Sequence, residues 1–217
     1  MSDADTLPAF LDSLSRRERA ARHAVFIPLL IHTLALALVL ALDVLFLIRL
    51  AHTTEIEWSG GGWAVVAHDR RTLLPLLPLA VYLVIWVVAR VRAWRTGVGP
   101  GHDGWGIMAI ISLGFLIVFP WGLLALSFLG AVFFLGLGLT VLGARMREAY
   151  LWVPGLVLMA VGPFANLGTF ENHAQFLGPW PTQVVMLVVI LGLAATTLMV
   201  WLRESRALAA APPAVLP

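Results

Sequence analysis

Two ionisable side chains, His32 and Asp43, fall inside the first long apolar run of this chain, eleven residues apart. At about 100° per residue of α-helix they share one face, roughly 16 Å apart along the axis. Ionisable groups at membrane depth are costly and turn toward the protein interior or a hydrated cavity. One reading is a proton or cation path along this face. The other asks for less: Asp43 pairs with Arg70 or Arg71 near the outer boundary, and His32 is hydrogen-bonded between helices. A second group gathers His52, Glu55, Glu57, His68, Asp69, Glu171 and His173 in segments read below as external. Imidazole and carboxylate are zinc ligands, and catalytic zinc takes three protein ligands with an open position. His52, His68 and His173 are the candidates for such a site. No HExxH or related spacing joins them, so a solvated loop surface is the simpler reading and no metal is assigned.

Other motifs carry less. Gly99, Gly101 and Gly104 match G-x-G-x-x-G, but a dinucleotide site needs a preceding strand and a βαβ unit. Here an arginine-rich span end precedes and an apolar run follows, so the loop is read as a cytoplasmic turn. Ser112 and Ser127 lie in apolar runs without a G-x-S-x-G context. The absence of cysteine excludes disulfides, thiolate metal sites and cysteine catalysis. No catalytic motif emerges, no cofactor is implied, and the expectation is a protein that is not an enzyme.

The elements that must hold these residues are apolar throughout. Of 217 residues, 60% are hydrophobic and 12% charged, with a mean hydropathy of +0.93. Soluble domains run about 45–50% apolar and about 25% charged. A chain of this size could not hide so much apolar surface from water, so lipid is its solvent. A crossing needs about 20 apolar residues. The runs 26–48, 73–93, 105–119, 123–142, 151–167 and 183–202 predict an all-α, polytopic bundle of six spans. The third and fourth form one nearly continuous run, which Pro120 and Gly122 break into a hairpin. Arginine placement tests the count. With the N-terminus inside, Arg16, Arg17, Arg19, Arg22, Arg90, Arg92, Arg95, Arg145, Arg147, Arg203 and Arg206 are cytoplasmic; Arg49, Arg70 and Arg71 are external. Eleven against three obeys the positive-inside rule, and removing one span would scramble it. Trp94, Trp105, Trp152 and Trp201 fall at inner boundaries, Trp121 and Trp180 at outer ones.

Three regions result. Residues 1–24 form a basic cytoplasmic segment in which Leu7, Phe10, Leu11 and Leu14 define an amphipathic helix lying in the headgroup layer. Residues 25–203 hold the six spans, and 204–217 a disordered cytoplasmic tail. Small residues punctuate the fourth span (Gly130, Gly136, Gly138, Gly143) and the sixth (Gly192, Ala195, Thr196). Such faces let backbones approach; packing within the bundle is the expected use, an oligomer interface the other. Pro75 and Pro78 in the second span, and Pro154 and Pro163 in the fifth, are expected to kink or end helices.

All basic side chains are arginine, which with the abundant Ala, Leu, Val, Gly and Pro suggests a GC-rich bacterial genome and hence a plasma (inner) membrane. A formal charge of +2 gives no nucleic-acid reading. The basic N-terminus, the six spans and the outer segment 168–182 resemble small six-span permease subunits of ABC exporters. The loop Arg95-Thr96-Gly97-Val98-Gly99 is similar to loops of uncharacterised small membrane proteins from GC-rich bacteria. The permease resemblance implies a transport-associated subunit working as a homodimer or with a separate ATPase chain. A non-catalytic accessory or scaffold protein of the bilayer is the alternative, and a membrane enzyme using the outer histidines a third. For transport, His32, Asp43, Ser112, Ser127 and Asn166 are the polar groups that could line a route.

Overall fold

The computed structural model describes residues 25–52, 76–96, 104–118 and 121–209. They form seven α-helices: α1 (Phe26–His52), α2 (Leu77–Thr96), α3 (Trp105–Ile117), α4 (Trp121–Met146), α5 (Ala149–Asn166), α6 (Thr169–His173) and α7 (Pro181–Ala209), with a 3-10 turn, Gln175–Leu177, before α7. No strand occurs among the described residues. Hydrocarbon offers no partner to a peptide group, so spanning segments satisfy their own backbones as helices. Five helices, α1, α2, α4, α5 and α7, are long and apolar enough to cross a membrane; α3 is a shorter apolar helix of 13 residues. The amphipathic helix expected in residues 1–24 lies outside the described residues.

Several boundaries differ from the expectation. Pro78 sits in the first turn of α2, where its missing N–H is not needed; residues 73–75 of the expected span, Pro75 among them, lie outside the described residues. The last helix runs to Ala209, so residues 204–209, expected in a disordered tail, are helical. Pro154 and Pro163 lie within α5. The α4–α5 turn is tight: the Glu148 N–H donates to the Gly143 carbonyl at 2.9 Å and the Arg147 N–H to Ala144 at 3.1 Å. This is a Schellman cap, with Arg147 at φ 56° where glycine is usual.

Packing is closest between α4 and α5. A Cβ on Gly136 would fall 2.6 Å from the Gly155 carbonyl oxygen, and one on Gly155 would fall 2.6 Å from the Thr140 nitrogen. The two backbones touch, as small residues allow. Elsewhere α1 packs along α7, and α2 against α3. Leu29, Leu36, Ile85, Leu135, Leu139, Leu151 and Leu158 fill the core. The small-residue face expected to pack on the sixth span behaves otherwise. Gly192 has nothing within 4 Å of where a Cβ would stand, and Leu191 and Met199 beside it are exposed. That face of α7 points out of the bundle.

Helix α4 is not continuous. Gly130 adopts φ 76°, ψ 160°, a conformation barred to side-chain-bearing residues, and divides α4 into residues 121–129 and 131–146. The Asn166 side-chain amide, at the end of α5, donates to the Ser127 and Phe128 carbonyls at 2.6 and 3.3 Å. It satisfies acceptors that the break removes from the helical ladder.

Candidate functional site

The buried polar centre of the bundle is built by three helices. His32 comes from the second turn of α1, Tyr82 from α2, and Trp105 is the first residue of α3. Their ring centroids are 5.9–6.2 Å apart, all tilted, in the range of favourable aromatic contact. His32 is wholly inaccessible to solvent. Its Nδ1 lies 2.7 Å from the Pro28 carbonyl oxygen one turn back. A carbonyl only accepts, so Nδ1 carries the proton and donates, and Nε2 keeps its lone pair. That Nε2 has no hydrogen-bond partner. The Tyr82 hydroxyl donates to the Phe134 carbonyl on α4, and its ring fills the space that a side chain at Gly138 would need. Trp105, expected at the inner boundary, is only 3% exposed and belongs to this core. Trp94, Trp121, Trp152, Trp180 and Trp201 expose their rings, as boundary residues would.

His32 and Asp43 do not meet. Asp43 lies about three turns further along the same helix and is half-buried. Its proposed partners Arg70 and Arg71 lie outside the described residues, as do His68 and the side chain of His52. His173 is exposed on α6, its Nδ1 3.1 Å from the Thr169 carbonyl oxygen. Among the described residues no three His, Asp or Glu side chains converge on a metal position.

A second centre, which the sequence reading missed, closes one end of the bundle. Glu204 of α7 places Oε1 2.8 Å from the Val25 N and 3.2 Å from the Phe26 N, accepting from both. The first N–H groups of a helix have no partner within it, and a carboxylate there also opposes the positive end of the helix dipole. Glu204 is thus an N-cap supplied by another helix. Beside it, the Arg203 guanidinium stands 5.4 Å over the Tyr150 ring and 4.0 Å from Glu148, an exposed pair that contributes little by itself. Further in, the Thr33 and Thr197 hydroxyls approach to 3.2 Å across α1 and α7. No local pattern announces Glu204 as a cap, because its partners lie at the other end of the chain. The one available sign is a lone acid just past an apolar run beside the arginines.

Chemically, these centres hold helices in register. The His32, Tyr82 and Thr197 side chains each reach a backbone carbonyl, and among the described buried side-chain atoms the His32 Nε2 and the Thr182 hydroxyl have no partner. Comparison of the chain with family models, curated proteins and solved structures returns no match.

Proposed function

We propose that the chain is an integral protein of a bacterial plasma membrane with six crossings and both termini cytoplasmic. It acts as a non-catalytic accessory subunit that associates with a partner protein in the bilayer. The arginine asymmetry supports the orientation. The antiparallel approach of α3 to α4, with Gly104 beside Leu142 and Phe115 beside Phe134, supports α3 as the sixth crossing. One observation carries the accessory role: among the described residues the helices are tied to one another at several points. Tyr82 is bound to Phe134, Glu204 to residues 25 and 26, Asn166 to residues 127 and 128, and α4 lies backbone-to-backbone on α5. Helices tied together in this way suit a fixed scaffold.

The break at Gly130 favours a second reading, a transport-associated permease-like subunit, homodimeric or paired with a separate ATPase. Discontinuous spans expose backbone carbonyls, and transporters use them at binding sites. Crosslinking in native membranes followed by isolation of the tagged chain separates the two. The accessory role predicts a membrane partner in fixed ratio to the chain. Co-isolation of an ATPase that loses coupling when residues 90–104 are altered would transfer the conclusion to the second reading. Solute flux by the chain alone in proteoliposomes would favour the homodimeric form of the second reading, and chemical turnover by it would overturn both.

A further inference from the structure

We infer that the bundle thins the bilayer beside α3, chiefly by indenting its cytoplasmic leaflet. The inference rests on the six-crossing reading above. Helix α3 has 13 residues, begun by Gly104 in a left-handed conformation and ended at Val118. At 1.5 Å per residue it is about 20 Å long, against a hydrocarbon core of about 30 Å. Its exposed face is apolar: Ile107, Ile110, Ile111, Leu113 and Ile117 all point outward, Ile110 at 71% and Ile117 at 70% exposure. These side chains belong in lipid, yet the helix is too short to bridge ordinary lipid.

The deficit falls mainly at the cytoplasmic end. Trp105, the first residue of α3, stands beside His32, six residues and about 9 Å inside the start of α1. Gly106 packs against the Trp86 ring, ten residues before α2 ends at Thr96. The start of α3 is therefore recessed from the start of α1 and the end of α2. Into this recess reaches a charge: a guanidinium nitrogen of Arg145 lies 3.5 Å from the Cβ position of Gly104. A guanidinium at that level, beside unpaired N–H groups of a helix start, draws headgroups and water down to it. At the far end the straight part of α4, residues 131–146, stops at the Gly130 break, beside Asn166. That segment is about 24 Å long, and residues 121–129 resume the helix beyond the break. By contrast α1 and α7, which pack on one another, have 27 and 29 residues. A short hydrophobic element is accommodated by thinning of the adjacent bilayer, so the partner fitted to the α3 face is a bilayer of reduced thickness.

The chain has no cysteine, so single nitroxide labels can be placed without background. Full-length Ile107→Cys, Ile110→Cys, Ile117→Cys and Leu191→Cys variants would be reconstituted in phosphatidylcholine with monounsaturated chains of about 14, 18 and 22 carbons, a series of increasing thickness. Label depth is read from relaxation by oxygen and by a water-soluble nickel complex. Thinning predicts that the Ile110 label stays within about 1 Å of one depth across the series while the Leu191 label on α7 deepens by several ångströms. The Ile107 label should be reached by the aqueous relaxant from the cytoplasmic side. If Ile110 deepens in step with Leu191, the thinning inference is wrong and the six crossings stand. If labels at Ile107 and Ile117 are reached from the same side, α3 does not cross and both fall. Ile111→Cys and Leu113→Cys, on the same exposed face, supply the readout where Ile110→Cys reconstitutes poorly.

Discussion

Replacing Gly136 with alanine tests the α4–α5 interlock directly. The added methyl would stand 2.6 Å from the Gly155 carbonyl oxygen, 2.7 Å from the Met159 nitrogen and 2.8 Å from the Leu158 Cβ. Two of these neighbours are backbone and cannot rotate away, so the helices must separate by about half an ångström or more. Overpacking of this kind costs about 1–3 kcal/mol, and loss of the close backbone contact adds to it. Against that, alanine gains about 1 kcal/mol of helix propensity over glycine. The net expectation is a loss of about 1–2 kcal/mol, or roughly 2–8 °C in Tm for a chain of this size. Gly192→Ala is the internal control: its methyl meets nothing within 4 Å, so only the propensity gain applies. Thermal unfolding in one detergent, followed by circular dichroism, compares the two. The double variant Gly136→Ala, Gly155→Ala should lose less than the sum of the singles, since helices already pushed apart accept the second methyl more readily. If Gly136→Ala is as stable as Gly192→Ala, the backbones do not touch there and the interlock is wrong.

Three further outcomes are expected. His32→Leu should cost less than about 1 kcal/mol, because a similar volume is kept and an unpartnered lone pair is removed; His32→Ala, which leaves a void among Tyr82 and Trp105, should cost about 2 kcal/mol or more. A loss from leucine as large as that from alanine, in the same melts, would mean that Nε2 has a partner. Glu204→Ala removes the cap of α1 and should lower stability by about 1–2 kcal/mol, with faster amide exchange confined to the first turn of α1; unchanged exchange at residues 25–27 would remove Glu204 from that role. Arg147→Gly should raise stability by about 1 kcal/mol, since the left-handed conformation strains any residue with a Cβ; a melt at or below the parent's would show that the arginine side chain outweighs the strain.

Much of the architecture was legible because lipid restricts a spanning backbone to helix. The runs behind α1, α2, α4, α5 and α7 could be read from hydropathy, most of them to within a few residues. The limits came from the same source. These helices are apolar on every side, so no periodicity marks which face is inside. Gly136 and Gly192 are the same residue in equally oily surroundings, yet one is pressed against another backbone and the other faces outward. Trp105 reads as a boundary residue until α1 and α2 close around it. Glu204 looked like the start of a tail, and only the return of α7 to the first turn of α1 makes it a cap. Residue type decided that this chain forms helices long and apolar enough to cross a bilayer; the neighbour each face meets, set by contacts between segments up to 179 residues apart, was decided by the tertiary fold.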